Sequence, residues 1–249
     1  MQAHTTVSRE EWLKARRELL TKEKALLKAQ EALRQETRAL PWVKVEKEYV
    51  FEGPDGRETL GELFAGRSQL IVKHFMMGPG WQEGCLGCSF GADQYDGSVV
   101  HLRHHDVMLV AVSRAPYPEI AAYHRRMGWH FKWVSSSGSD FNYDFNVSFT
   151  EADRAEGKAL YNFELCRDVA DEMAGMSVFY RDDRGDIFHT YSVFARGSEQ
   201  VAGVYGLLDV TPRGRNEPPG GNLTHWVRRH DKYEEKTDNS CCHGRAGSV

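Results

Sequence analysis

The sequence has little cysteine and little proline: five cysteines and eight prolines among 249 residues. Five is odd and too few for a disulfide scaffold, so the fold must rest on a packed core. No run of apolar residues approaches the roughly eighteen needed for a membrane-spanning helix, which excludes one. Neither half holds a long basic stretch and the formal net charge is −4, so no nucleic-acid surface is expected. Met1 to Arg9 is polar and lacks the apolar centre and cleavage site of a secretory leader, which makes the cytoplasm the expected location. No internal repeat runs through the chain. What is present, 41% hydrophobic and 27% charged, is ordinary for a globular protein. The length suits one large domain or a medium one with extensions.

Ser8 to Leu40 is predicted as one long amphipathic helix. Ser8 with Glu11 fits a capping box, and Pro41 ends the run. Trp12, Leu19, Leu26, Leu33 and Leu40 recur every seven residues, flanked by Leu20 and Leu27. Such a stripe packs either on its own domain or on a second subunit, and the strict spacing supports a homodimer through this helix. Val43 to Phe51 alternates like a strand, Gly53 to Gly56 is turn chemistry, and Thr59 to Phe64 starts a short helix. Leu70 to Met77 is a nearly continuous apolar run that suits a strand covered on both faces. A helix is expected from the Cys85–Cys88 pair to Arg103, then a strand over Val107–Val112, a helix over Pro118–Met127 and a strand over Phe131–Val134. Phe141, Tyr143, Phe145, Val147 and Phe149 alternate with polar residues, which predicts an extended segment. Ala152 to Ala174 reads as a helix or irregular insert. Met176–Tyr180 and Ile187–Val193 form a hairpin, and Gly203–Asp209 and Leu223–Arg229 are closing helical segments.

An alternating β-α-β start that ends in an antiparallel hairpin is the thioredoxin pattern, an α/β fold with a peroxiredoxin-like lead-in. The expected organisation is a helical extension over residues 1–41, a thioredoxin-like domain over 42–230, and a disordered polar tail over 231–249.

Cys85-Leu86-Gly87-Cys88 carries the sharpest chemical signal. A C-x-x-C that follows a central strand and opens a helix places its first sulfur against free backbone N–H groups, which stabilise a thiolate. Cys85 is then the nucleophile, and Cys88, one turn on, the resolving thiol. The competing use of such a pair is a zinc or copper site completed by a histidine.

The stretches Phe75–Phe90, Val112–Pro116, Arg126–Trp129, Ser139–Phe145 and Trp226–Tyr233 resemble the signature of an uncharacterised, largely bacterial thioredoxin-like family, domain of unknown function 899. Its members are described as predicted dithiol–disulfide oxidoreductases. The resemblance spans about Val7 to Tyr233 and implies that fold and activity class, with no cofactor. The chemistry of the cysteine pair predicts a thiol or disulfide substrate, small molecule or protein, and a separate reductant. The position before the closing hairpin, Gly175-Met176, carries none of the proline found there in thioredoxins. Trp81-Gln82-Glu83-Gly84 stands where peroxiredoxins carry a proline and a threonine.

Around the pair, Trp81, Gly84, Arg114 and Trp129 are the candidate substrate-binding residues. Gly84 and Gly87 would leave the sulfurs open to a partner, and Arg114 ends a buried strand, where open α/β sheets gather ligands. His101, His104 and His105 read as a solvated helix end or a ligand cluster. His74 reads as a satisfied core residue, or as a group that tunes Cys85 if it faces the loop. Asp140, Asn142, Asp144 and Glu151 match ligand positions of a calcium loop, but Phe145 replaces the required glycine. Cys166 reads as a small buried apolar residue, and Cys241-Cys242-His243 stays outside the active site.

Overall fold

The computed structural model describes residues 4–217 and 225–233. Helix α1 (Arg9–Arg38) opens on the capping box: Ser8 accepts from the Glu11 N–H while the Glu11 carboxylate accepts from the Ser8 N–H at 2.9 Å. No residue of this helix is buried, and Trp12, Leu19, Leu26 and Leu33 remain 46–60% exposed. The chain's own domain therefore does not cover the stripe. A row of large apolar groups at seven-residue spacing suits a second copy of the same helix. We propose that it pairs there: the protein should sediment as a dimer at micromolar concentration, and Leu19→Arg with Leu26→Arg should give a folded monomer. A wild-type monomer, or a double variant that unfolds, would contradict this.

The chain then builds an eight-stranded sheet from β1 (Val43–Lys44), β2 (Val50–Gly53), β3 (Gly56–Thr59), β4 (Gln69–His74), β5 (Val107–Ser113), β6 (Lys132–Ser135), β9 (Gly175–Arg181) and β10 (Ile187–Phe194). Their spatial order is β1-β10-β9-β4-β5-β6-β2-β3. Strands β4, β5 and β6 are parallel, while β9 runs antiparallel to β4 and β10 antiparallel to β9. That central set, with helices between its parallel strands, is the thioredoxin-like arrangement expected. Helices α2 (Leu60–Leu63), α3 (Leu86–Tyr95), α4 (Val99–His104), α5 (Tyr117–Met127), α6 (Phe141–Asp144), α7 (Glu151–Ala155) and α8 (Gly203–Asp209), and the small hairpin β7 (Ala159–Tyr161) and β8 (Glu164–Cys166), complete the described residues. None of the described helices is long and apolar enough to cross a membrane.

Every residue of β5 is buried, as a strand covered on both faces requires. Alternation along β4 and β5 divides the core into two layers. Leu70, Val72, Met108, Val110 and Val112 join Phe51, Phe64, Phe141 and Phe179 on one face. Ile71, Phe75, Leu109 and Ala111 join Cys88, Tyr95, Ile120, Tyr123, Trp129 and Trp133 on the other, under α3 and α5.

Four local expectations are corrected. Val43–Phe51 is two strands on opposite sides of the sheet, β1 beside β10 and β2 beside β6. The helix after Cys85 breaks at a 3-10 turn over Asp96–Ser98, where the Asp96 carboxylate accepts from the N–H groups of His130 and Phe131. The aromatic alternation from Phe141 is one helical turn, because positions four apart satisfy both periods. The rings of Phe141 and Phe145 lie 4.6 Å apart, tilted, in the same layer, and buried Asn142 accepts from Ser136 Oγ. Over residues 225–229 the chain is not helical, and a 3-10 turn follows at His230–Lys232. Leu223, Thr224 and Cys241-Cys242-His243 lie outside the described residues, as does the tail from residue 234.

Candidate active site

Beyond His74 the chain continues along β5 without strand geometry: Phe75 N–H donates to the Val112 carbonyl and Ala115 N–H to the Met77 carbonyl, both at 2.9 Å. The loop then turns back, and Cys85 N–H donates to the Met76 carbonyl at 2.9 Å. This return places Cys85 at the N-cap of α3, over the C-terminal end of the central strand. Ser89 fastens the first turn from N–H and hydroxyl, both donating to the Cys85 carbonyl.

The two thiols differ sharply. Cys85 is half-buried, and its pKa lies below the ordinary thiol value. The Cys88 thiol donating to it is the largest cause, and the N–H groups of Cys88 and Gly87 and the charge of Lys73 add to it against the opposing effect of burial. Cys88 is fully buried and shifted well up, by its hydrogen bond to Cys85 and by desolvation. Met76 N–H donates to Cys88 Sγ at 3.4 Å.

Both cysteines line a cavity of about 200 Å³ with a mainly apolar wall. The lining includes Gly87, Phe90, Gly91 and Tyr95 of α3, Ala174 just before β9, and Ala195, Val201, Ala202 and Tyr205. Lys73, only 7% exposed, lies among them. In the sequence Lys73 sits within the nearly continuous apolar run Leu70 to Met77. A lysine inside a strand covered on both faces was nevertheless a readable signal, since such residues are almost never buried without cause.

None of the four predicted substrate-binding residues lines this cavity. Gly84 faces inward: a Cβ there would lie 2.4 Å from Phe75 Cε1 and 2.9 Å from Tyr123 Cε1, so it permits close packing and not access to sulfur. Trp129 is buried, with its Nε1 donating to Asp93 at 2.7 Å. Arg114 is committed to buried Glu172 and donates to the Tyr143 hydroxyl. Burial pushes the Glu172 carboxyl up in spite of that arginine and of Ser148, which donates to it at 2.7 Å. Trp81 packs against the layer beneath α5, beside Glu119 and Arg126.

The C-terminal stretch has a positioning role that sequence patterns missed. Arg229 donates to the Gly84 carbonyl at 2.7 Å and to the Tyr123 hydroxyl at 3.0 Å, and pairs with Glu83 at 2.9 Å. Hydrogen bonds from Lys232 and Arg126, with the charge of Arg229, hold the Glu83 carboxyl down at about 2. This clamp is complete above the ordinary glutamate pKa and is lost as pH falls through that depressed value.

The remaining candidates separate from the cysteines. His74 points into the opposite layer, stacked near Phe141 and Phe145, and its Nε2 pairs with Ser177 Oγ at 2.8 Å. Burial lowers its pKa to about 3, so it is neutral and does not face Cys85. His101, His104 and His105 occupy the exposed end of α4. Cys166 is half-buried on β8, its thiol directed at the carbonyls of Tyr161 and Glu164. Lys47 pairs with Asp140 and Asp144 at 2.7 Å, so the calcium-loop pattern is part of a salt link. Among the described residues no group of three or more His, Cys, Asp or Glu side chains is arranged to hold a metal. Among the described residues no histidine completes such a group with Cys85 and Cys88.

Solved structures with a similar outline include peroxidoxin BcpB from Mycobacterium tuberculosis, 10% identical over 66% of this chain and 93% of that one, with a TM-score of 0.43. Peroxiredoxin Q from Xanthomonas campestris is 12% identical over 63% of this chain and 86% of its own, with a TM-score of 0.44. PrxQ from Xylella fastidiosa is 12% identical over 64% and 89%, at 0.40. No curated protein matches the sequence. The match that extends from the N-terminal helix through the cysteine loop to the Arg229 clamp is at the family level: over residues 1–233 the chain belongs to the bacterial proteins of unknown function DUF899.

Proposed function

We propose that the chain is a dithiol–disulfide oxidoreductase that reduces low-molecular-weight disulfides. The observation that carries this reading is an acidic, half-buried Cys85 at a helix N-cap, in contact with a buried Cys88, both on one apolar cavity. In the first step the Cys85 thiolate attacks one sulfur of the substrate. A Cys85–substrate disulfide forms, and the other half leaves as a thiolate that takes a proton. Cys88 then gives up its proton, attacks Cys85 Sγ, frees the second half and closes the Cys85–Cys88 disulfide. Two electrons pass to the substrate, and a separate dithiol reductant returns them. A reducing compartment such as the cytoplasm suits this cycle.

The substrate's shape follows from the walls. The segment Ala195–Val201 and α8 line the cavity beside the cysteine pair, and its mainly apolar wall suits a compact apolar arm. Gly91 offers the test, because a Cβ there meets nothing within 4 Å. Gly91→Leu would fill the cavity from α3. It should lower kcat/KM for disulfides with an aromatic arm by ~10-fold or more, the scale of a mismatched apolar pocket. An unchanged kcat/KM would place the substrate elsewhere.

A further inference from the structure

We infer that Lys73 is the proton carrier of the cysteine pair: it gives a proton to the first leaving thiolate and takes the Cys88 proton when Cys88 attacks. This rests on the oxidoreductase reading above. Lys73 is buried on β4 and lines the cavity with both cysteines, and its side chain makes no hydrogen bond or ion pair with a described residue. An unpaired buried ammonium is costly unless an anion faces it. The groups whose charge acts on Lys73 are Cys88 and Cys85. Burial lowers its proton affinity, and the cysteine charges oppose that effect.

The other titratable groups around the cavity are otherwise engaged or remain neutral. Glu199 is tied to Arg196 and Arg215. The Tyr161 hydroxyl donates to the Ala174 carbonyl and accepts from the Ala195 N–H. Tyr205 and Tyr95 are phenols shifted upward, and the Tyr95 hydroxyl, buried, has no hydrogen-bond partner among the described residues. His74, next in sequence, faces the other layer and is neutral.

The proton count closes around Lys73. The reduced site holds a Cys85 thiolate, a Cys88 thiol and a Lys73 ammonium. Once Cys85 is in a mixed disulfide, the ammonium loses the anion that stabilised it and protonates the departing thiolate. The neutral amine then accepts the Cys88 proton as the Cys88 sulfur attacks Cys85 Sγ, and passes it to the second leaving thiolate. Two thiols and one protein disulfide result, with no proton unaccounted for.

The probe is 2,2′-dithiodipyridine mixed with the reduced full chain in which Cys166, Cys241 and Cys242 are replaced by serine, which leaves only Cys85 and Cys88 to react. Attack by Cys85 releases a first equivalent of absorbing pyridinethione, and resolution by Cys88 releases a second. Lys73→Arg keeps the charge but cannot accept a proton. It should leave the first phase fast and slow the second ~100-fold, the lower range for a lost general base. Lys73→Met should slow the second phase as well and move the pH midpoint of the first towards the ~8.5 of a free thiol. An unchanged second phase in either folded variant would overturn the role of Lys73. So would a wild-type Lys73 signal, in NMR of ε-¹³C-lysine protein, that titrates no lower than the ~10.4 of a free lysine. The absence of both phases with Lys73 intact would instead overturn the oxidoreductase reading.

Discussion

Gly84→Ala should destabilise the protein by ~1–3 kcal/mol, the usual cost of forcing a methyl group into a filled core. The added Cβ would meet Phe75 and Tyr123 at distances no real contact shows. Neither ring can yield cheaply. Phe75 is 1% exposed and its ring lies 4.3 Å from that of Trp133, while the Tyr123 hydroxyl is held by Ser89 and Arg229. The backbone at Gly84 itself demands no left-handed conformation, so the cost is one of packing. Gly91→Ala is the control. It lies inside α3 with open space at its Cβ, and should gain ~0.5–1 kcal/mol from helix propensity. For a chain of this size each kcal/mol moves Tm by about 2–4 °C, so thermal melts of the two variants should shift in opposite directions. Equal shifts would mean that the cysteine loop is not seated on the Phe75 and Tyr123 rings.

The frame of this molecule was legible because its central strands announce themselves. Leu70–Val72 and Val107–Val112 are apolar at every position, and that is what burial on both faces demands. The N-cap position of Cys85 followed from a C-x-x-C after such a strand. The residues around the cysteines were less legible, for reasons visible in the contacts. Spacing along the chain brings Trp81, Gly84 and Arg114 near the motif, but each is turned into packing or ion pairing. Much of the cavity wall comes instead from residues far along the chain, Ala174 and Ala195 to Tyr205. No local pattern marks them. Phe141 and Phe145 misled because an even spacing of four is shared by strand and helix, and only the Ser136–Asn142 bond and the buried layer decide between them. His74 and Lys73 are adjacent, and strand alternation alone assigns them to opposite faces. The charged residue, and not the histidine, is the one that meets the thiols.

The division of labour between the two cysteines has the largest expected effect. Cys85 is the acidic, accessible sulfur, and Cys88 is shielded and shifted the other way. Cys85→Ser should therefore reduce turnover of a disulfide substrate to background, since a serine hydroxyl is no substitute for a thiolate. Cys88→Ser should perform the first step and stop, because the sulfur that resolves the mixed disulfide is missing. The most direct measurement is intact-protein mass spectrometry after one addition of a small aromatic disulfide to each reduced variant. One covalent substrate half is expected on Cys85 in Cys88→Ser. None is expected on Cys88 in Cys85→Ser, and the wild type should lose two hydrogens at this pair without an adduct on either sulfur. A stable adduct on Cys88 in Cys85→Ser, or a wild type that keeps both thiols, would contradict this division of labour.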